Sequence, residues 1–249
     1  MNLILFDEDE VSKPLSRSDE RMYHIQKILK LKVGDYFRSG ICNGPIGKAE
    51  VLSIEKETLT FRFEPSTNPP PPPLPIDLYC GIPRANSLRR VLKEATTLGA
   101  RRIILFASEK GEKSYLDAKL LKECNYLSVL KDGASQTYTT YLPEVKIFSS
   151  LKSALSQTDL HSANSLHRDS SFFLHHDQML KAAFTFLSSK KYESQKLRIA
   201  IGSERGWSTD ELQLFQNSSF IGLNLGSRVM RTDTAFIAAL SLFAAWVQS

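Results

Sequence analysis

Three short segments place glycine and polar side chains directly after predicted apolar strands: residues 174–177, 202–206 and 225–231. In open α/β sheets, ligands bind beyond the carboxyl ends of the strands, so these segments form the default site. Gly202, Gly206 and Gly226 allow backbone groups to approach a ligand closely. For any one of them alone, a simple turn is an equally good explanation. The three segments together predict one small-molecule site.

Arginines supply positive charge near these segments. Arg228 and Arg231 precede the last predicted helix, and a planar guanidinium suits phosphate or carboxylate recognition, with a solvated side chain as the alternative. The stretch 84–102 contains six basic residues and one acidic residue, which makes nucleic acid the first candidate partner. Its arginines either face a polyanion or coat the solvent side of a helix: Arg84, Arg89, Arg90, Arg101 and Arg102.

Signals for other chemistries are weak. No two of the five histidines have the helical spacing of a zinc motif. The one histidine-rich cluster is at 175–177, where a structural role is the more common explanation. Ser203 sits one position too early for a nucleophile elbow, and neither a dinucleotide-binding glycine motif nor a phosphate-loop lysine is present. The sequence therefore predicts no metal, no covalent nucleophile and no nucleoside triphosphate site.

The composition is that of a globular chain. Of its 249 residues 42% are hydrophobic and 24% are charged, with a net charge of +5. These values fit one large or two smaller domains and exclude collagen, coiled coil and wholesale disorder. Cys42, Cys80 and Cys124 are odd in number and far apart, as reduced thiols are. With no signal-peptide features and no apolar run long enough to span a bilayer, we expect a cytoplasmic protein.

A proline-rich segment divides the chain. Seven of the eleven prolines lie between Pro65 and Pro75, and the run 69–75 predicts a polyproline II linker that cannot enter a helix or a central strand. A surface loop inside one domain is the alternative. The predicted domains, 1–68 and 76–249, differ in charge. Residues 1–68 carry 10 basic and 11 acidic side chains (−1), which leaves 22 basic and 16 acidic ones (+6) for the rest of the chain.

The two parts also differ in hydrophobic pattern. The first part, with a short helix at 20–31, contains β-rich segments that predict a small barrel or sandwich: 35–39, 47–54 and 58–63. The second part alternates strands with helices, including a helix at 86–98 and a long one from about Tyr115. Its predicted strands are 76–80, 102–106, 144–148, 172–175, 197–202 and 219–223. This alternation predicts an α/β fold with a parallel sheet covered by helices on both faces.

Two helix starts are well marked. Ser208 and Glu211 form a capping box, with Trp207 and Leu212 spaced as a hydrophobic staple. Thr232 with the aspartate after it is expected to open the last helix. That helix is apolar nearly all round, so we expect it to be buried in the core, against a partner subunit, or in both.

The order of the motifs resembles a known family. Residues 225–235 resemble the LGxRILRxETA signature of the RsmE-type ribosomal RNA methyltransferases, and residues 201–208 resemble their IGPEGG-aromatic-Ser segment. Residues 24–35 are similar to their HxxxVLRLKxGD stretch. The middle motifs of the family fall in the same order, at 82–84, 95–99, Gln136 and Pro143. Since the match spans almost the whole chain, the sequence is identified as a member of this family.

The resemblance implies a SPOUT-class enzyme, in which a PUA-like, RNA-binding β-barrel precedes a trefoil-knotted α/β domain. It also implies a homodimer, S-adenosylmethionine as cofactor, and methyl transfer to N3 of a uridine in small-subunit (16S) ribosomal RNA. The expected cofactor ligands, acting largely through backbone groups, are Leu174, His175, Ile201, Gly202, Ser203, Glu204, Gly206, Leu225, Gly226, Val229 and Met230. The expected RNA contacts are Lys30, Arg84, Arg89 and Arg90.

The chemistry of such an enzyme makes few demands on side chains. A sulfonium donor carries its own leaving group, so neither a metal nor a covalent enzyme intermediate is needed. The protein has to align an in-line attack and help the uracil lose its N3 proton. By the resemblance, Arg231 and Arg228 face the RNA or the target base, where a cation at Arg231 would stabilise the developing uracil anion. His175 and Glu204 are candidates for the general base by position alone.

The chain departs from the family pattern at several positions, most of which change or remove a charge. They are Lys30, Glu94, Thr97, Thr139, Ser203, Arg205 and Asp233. Ser203 replaces the Pro of IGPEGG, and Arg205 replaces the Gly that follows its Glu. Asp233 replaces a Glu of the family by a shorter acidic residue. These departures motivate an alternative function, a non-catalytic or weakened RNA-binding or ribosome-assembly protein on the same scaffold.

Overall fold

The computed structural model describes residues 3–159, 170–194 and 196–249, and its chain divides into two compact units. The first unit comprises the chain up to Pro72 together with Lys131–Leu142. The second comprises Pro73–Leu130 and Pro143–Ser249. The first unit therefore draws on two stretches of chain, whereas the sequence predicted one. Two of the five histidines, His161 and His167, lie outside the described residues.

The first unit is built on a five-stranded sheet. Its strands, in the order β1-β3-β4-β5-β2, are β1 (Ile4–Phe6), β2 (Leu15–Ser16), β3 (Tyr36–Ile41), β4 (Ile46–Ile54) and β5 (Thr58–Pro65). The predicted strands at 35–39, 47–54 and 58–63 are thus confirmed. The buried apolar side chains of the sheet, among them Phe6 and Leu59, form one core together with Ile25. The predicted helix at 20–31 is shorter: α1 (Glu20–Tyr23) continues as a π-helix (His24–Ile28), and the chain then turns at Lys30, whose φ is +54°.

Residues 131–142 join the first unit through specific contacts. Lys131 pairs with Asp7 at 2.7 Å, and the backbone N–H of Leu3 donates to the carbonyl of Ser135 at 3.0 Å. The Thr140 hydroxyl donates to the carbonyl of Gly44 at 2.6 Å. Because these contacts are set by tertiary packing, the local sequence gave no sign of them.

The second unit is a parallel α/β structure, as predicted. Every strand pair in its seven-stranded sheet is parallel, in the order β10-β12-β9-β11-β6-β7-β8. The strands are β6 (Leu74–Gly81), β7 (Ala100–Phe106), β8 (Glu144–Phe148), β9 (Ser170–Leu174), β10 (Lys181–Ala182), β11 (Leu197–Ile201) and β12 (Ile221–Asn224). The remaining α-helices are α2 (Ala85–Thr97), α3 (Tyr126–Gln136), α4 (Leu151–Asp159), α5 (Ala183–Ser188), α6 (Thr209–Asn217) and α7 (Thr232–Val247), and Lys113–Asp117 and Lys122–Cys124 are short 3-10 helices.

Two predictions about local structure were wrong. The long helix expected from Tyr115 begins only at Tyr126, because Cys124 has a φ of +57° and so cannot belong to an α-helix. The proline run was expected to stay outside central strands, yet Leu74 and Pro75 begin β6, an internal strand. The register of β6 against β7 shifts between Leu74 and Asp77, so the missing N–H of Pro75 falls at an irregularity of the ladder.

The sheet of the second unit positions the candidate site. Its central strands are buried on both faces, as the residues from Ile76 to Gly81 in β6 show. Strands β12, β9 and β11 are neighbours and run parallel, so their carboxyl ends lie at one edge. The three segments singled out by sequence therefore begin side by side.

Candidate functional site

A cavity of about 290 Å³ opens at this carboxyl edge, between the loops that follow β9, β11 and β12. Its walls include every residue predicted as a cofactor ligand, namely Leu174, His175, Ile201, Gly202, Ser203, Glu204, Gly206, Leu225, Gly226, Val229 and Met230. Sequence reasoning did not name several further lining residues as cofactor ligands, among them Trp207, Thr232 and Ala235, whereas His176 lies in the segment 174–177 that it singled out. The volume is near the lower end of the range for small-molecule sites.

Trp207 fixes one wall of the cavity. Its indole N–H donates to the carbonyl of Leu174 at 2.8 Å, which ties the loop after β11 to the end of β9. The ring is 2% exposed and packs against Phe106 and Phe215. The sequence indicated Trp207 as one half of a hydrophobic staple and as the aromatic residue of a family segment, but it did not predict this bond, because nothing in the local pattern shows which carbonyl an indole reaches.

Glu211 fixes the same loop from behind. The predicted capping box is present, with Ser208 accepting from the N–H of Glu211 at 3.0 Å. The Glu211 carboxylate, 1% exposed, accepts from the N–H groups of Ser208 (2.9 Å) and Glu109 (3.1 Å) and from the Ser108 hydroxyl (3.1 Å). Because a buried carboxylate is costly without partners, this arrangement holds the loop after β7 to the loop after β11.

Asn224 links the two remaining loops. Its amide donates to the carbonyls of Asp177 (3.2 Å) and Leu180 (2.5 Å), while its oxygen accepts from the N–H of Gly226 (3.0 Å). Gly226 has a φ of +117°, which an L side chain rarely adopts, and a Cβ there would extend into open space. Glycine is therefore required by the backbone conformation at this position.

The two arginines before α7 occupy different places. Arg228 lines the cavity. Arg231 is the residue before α7, and its side chain is 75% exposed beside Asp233, with the Arg231 Nε 3.8 Å from the Asp233 Oδ1. The helix was expected to be opened by Thr232, but Thr232 is its first residue and no side-chain cap bond is present at the N-cap, Arg231.

The two charged residues of the loop after β11 are both engaged in ion pairs. Glu204 accepts from the backbone N–H of Arg84 at 3.3 Å and lies 3.6 Å from the Arg84 Nε. Arg205 pairs with Glu112 at 3.4 Å and is largely exposed. The neighbouring hydroxyl of Ser203 is buried and has no hydrogen-bond partner among the described residues.

The basic stretch 84–102 is divided between opposite edges of the sheet. Arg84, Arg89 and Arg90 lie at or near the start of α2, beyond the carboxyl end of β6, and all three are exposed. Arg101 and Arg102 lie at the amino end of β7, where both bind the carboxylate of Asp77, which is 0% exposed. For Arg101 and Arg102, neither alternative offered by the sequence holds, contact with a polyanion or coating of a helix, because strand β7 carries both to a buried partner. Lys30 belongs to the first unit and is exposed.

Burial raises the pKa of two of the three thiols, those of Cys42 and Cys80. Cys80, at the end of β6, is fully buried, and burial together with the nearby Glu204 carboxylate raises its pKa far above the ordinary value. Cys42, Cys80 and Cys124 are all free cysteines. In the described part of the chain, no cluster of three or more His, Cys, Asp or Glu side chains could hold a metal ion, and no helix has the length and hydropathy of a membrane span.

Comparison with known proteins identifies relatives across the whole length. A family model described as an RNA methyltransferase domain matches residues 70–244. The ribosomal RNA small subunit methyltransferase E of Treponema pallidum (strain Nichols) is 35% identical over 245 residues, which cover 97% of this chain and 90% of that protein. The ribosomal RNA small subunit methyltransferase E 1 of Borreliella burgdorferi is 30% identical, with 96% and 95% coverage.

A solved structure shares the fold. The crystal structure of a ribosomal RNA small subunit methyltransferase E from Neisseria gonorrhoeae, bound to S-adenosylmethionine, superposes with a TM-score of 0.77. The match covers 98% of this chain and 97% of that one at 19% sequence identity. The likeness extends through both units of the chain.

Proposed function

The chain belongs to the RsmE-type ribosomal RNA methyltransferases, and from this premise we propose that it transfers the methyl group of S-adenosylmethionine to N3 of a uridine in small-subunit ribosomal RNA. The observation that carries the proposal is the cavity at the carboxyl edge. Three loops distant in sequence converge there and bring together all of the residues expected to bind the cofactor.

The cavity has the properties that S-adenosylmethionine requires. Apolar walls from Leu174, Ile201, Leu225 and Val229 suit the adenine ring and the methyl-bearing sulfur. Glycines in two of the loops leave backbone groups close to the open space for the polar ends of the molecule. The buried, unpartnered Ser203 hydroxyl lies in the same wall. The residues present therefore fit the cofactor.

The residues of the chain align the methyl donor with the target base and stabilise the charge that develops on the base. S-adenosylmethionine, when bound, supplies an activated methyl on a sulfonium leaving group. The loops hold the donor and the target base for in-line attack, and Arg231, exposed at the edge of the site, stabilises the uracil anion as the N3 proton leaves. Arg228, which lines the cavity, faces the same region. Glu204 is paired with Arg84, so His175 is the better placed of the two candidates to accept the proton.

RNA recognition is proposed to use both units. The first unit is the PUA-like, RNA-binding barrel, with Lys30 as a contact, and Arg84 and Arg89 contact the RNA backbone from the second unit. Arg90, predicted with them, is already paired with Asp233. The second unit is proposed to be the trefoil-knotted SPOUT domain. These assignments are supported by the family membership and by the exposure of Lys30, Arg84 and Arg89.

A homodimer and a cytoplasmic location complete the proposal. Seven residues of α7 are buried, but Ile237, Leu242 and Val247 are only half-buried in the single chain. A second copy of the chain would cover this apolar surface. Ribosomal RNA as substrate places the enzyme where ribosomes are assembled.

The cofactor site is tested by a pair of glycine substitutions. Gly226→Val places a side chain at a φ of +117° in the cavity wall, whereas the matched control Gly34→Val imposes the same kind of backbone strain (φ +88°) in the first unit. Calorimetric titration with S-adenosylmethionine is expected to show binding by the wild type, at least about 50-fold weaker binding by Gly226→Val, and less than about twofold change in Gly34→Val.

Absence of binding by the wild type would overturn the proposed function and favour the non-catalytic alternative. Equal weakening by both glycine variants would show that backbone strain alone, rather than this cavity, controls binding.

A further inference from the structure

Asp233 bridges the two helices beside the candidate site. It is the second residue of α7, and its side chain is 13% exposed although the neighbouring Arg231 is 75% exposed. Asp233 also stands where the resembled family has Glu, so a carboxylate is kept at this position with a shorter side chain. Its partners show what that carboxylate does.

Each oxygen of the Asp233 carboxylate has a defined partner. Oδ2 accepts from the Arg90 Nη1 of α2 at 2.8 Å. Oδ1 accepts from the backbone N–H of Thr234 at 3.1 Å and lies 3.8 Å from the Arg231 Nε. The carboxylate is therefore fixed from α2 and from its own helix, and it presents one oxygen to Arg231.

This arrangement restricts an otherwise free side chain. An exposed arginine has many rotamers, and ordering it for catalysis costs conformational entropy. A fixed carboxylate facing Nε limits the orientation of the guanidinium and leaves its two Nη groups to face a ligand. Among the described residues, the acidic side chain paired with Arg231 is that of Asp233.

We propose that Asp233 is a positioning residue, held in place by Arg90, which orients the Arg231 guanidinium toward the base that receives the methyl group. This inference rests on the proposed function, in which Arg231 stabilises the uracil anion. It assigns to Arg90 a role through Asp233 rather than through RNA phosphates.

A purely structural role predicts different behaviour. An aspartate in the first turn of a helix also stabilises the helix dipole, and losing that contribution lowers stability without changing the rate of methyl transfer. If Arg90 instead contacted an RNA phosphate, its substitution would weaken RNA binding and reduce the salt dependence of that binding. Rate, affinity and stability therefore have to be measured on the same variants.

The test uses Asp233→Asn, Arg90→Ala and the double variant that combines these two substitutions. Arg89→Ala, at an exposed neighbouring position on α2, is measured alongside them. Single-turnover methyl transfer to in vitro transcribed small-subunit ribosomal RNA is expected to slow about 10-fold in Asp233→Asn and in Arg90→Ala. The double variant is expected to be no slower than either single variant, because both act through one contact. RNA and cofactor affinities stay within about twofold. Asp233→Glu retains most of the rate. Arg89→Ala, which removes a proposed RNA contact, weakens RNA binding and is the reference for a loss of RNA affinity.

Additive effects of the two substitutions, or weaker RNA binding with an unchanged rate, would overturn the inference. Should Asp233→Asn fold poorly by thermal denaturation, Arg90→Ala and Asp233→Glu decide the question, since neither removes the carboxylate. A wild type that transfers no methyl would overturn the proposed function itself, whereas an active wild type with a fully active Arg90→Ala variant would overturn this inference alone.

Discussion

The two edges of the seven-stranded sheet carry arginines from one basic stretch of sequence but use them in opposite ways. At the amino edge, Arg101 and Arg102 converge on Asp77, which is fully buried, and the hydrogen bond to Asp77 raises the pKa of Arg102. At the carboxyl edge, Arg84 and Arg90 are mostly exposed, and their acidic partners are Glu204 in the loop after β11 and Asp233 in the first turn of α7. At the amino edge the charged side chains link two neighbouring strands, and at the carboxyl edge they lie beside the candidate site.

The difference shows what a local excess of charge can and cannot indicate. Six basic residues between 84 and 102 predict a positive surface only if the chain keeps them on one side. Here α2 ends and β7 begins within the stretch, so the chain crosses from one edge of the sheet to the other. Charge density in sequence therefore has to be combined with topology before it identifies a binding surface.

The largest expected effect is on stability at the amino edge. Asp77→Ala leaves two partly buried guanidinium groups without their carboxylate and should lower the free energy of unfolding by about 3 kcal/mol in a urea titration. The control, Glu112→Ala, removes the exposed partner of Arg205 and should cost less than about 0.5 kcal/mol. Cofactor affinity of the folded Asp77→Ala protein should be unchanged. Equal effects of the two substitutions would contradict the comparison of the edges.

The next effect is on catalysis at the carboxyl edge. Arg231→Ala should slow methyl transfer about 100-fold, because the cation that stabilises the uracil anion is removed. Binding of S-adenosylmethionine, measured by calorimetry, should be retained, since Arg231 is not part of the cavity wall. Arg231→Lys keeps the charge without the planar fork and should be intermediate. If Arg231→Ala methylated normally, the residue would lose its proposed role.

The smallest effect concerns a departure from the family pattern. Arg205 lies where the resembled family has glycine. It lines the cavity, but its guanidinium is paired with Glu112 at 3.4 Å and is largely exposed. Arg205→Gly should therefore change cofactor affinity less than about twofold. Binding that became several-fold tighter on this substitution would show that Arg205 obstructs the cavity after all.

The sequence was sufficient for the parts of the fold that follow from local pattern. Six of the seven strands of the parallel sheet, the capping box at Ser208 and the glycine loops are each specified by a few neighbouring residues, whereas the two-residue strand β10 was not predicted. Since parallel strands end at the same edge, the pattern also predicted that the three loops converge. These are the features that the structure confirms.

The remaining features depend on distant partners. The bond from Trp207 to Leu174 and the links made by Asn224 join residues more than thirty positions apart in sequence. The assignment of residues 131–142 to the first unit, and the late start of α3 after Cys124, likewise follow from tertiary contacts and a single backbone angle. No local pattern carries this information.

Methylation of a ribosomal RNA uridine at the carboxyl-edge cavity can be tested by one experiment. The protein and S-adenosylmethionine are incubated with small ribosomal subunits from a strain that lacks the enzyme, and modified nucleotides are mapped by mass spectrometry. We expect one new N3-methyluridine that does not form with Gly226→Val. Unmodified RNA, or a methyl group on a ribose or another base, would contradict this expectation.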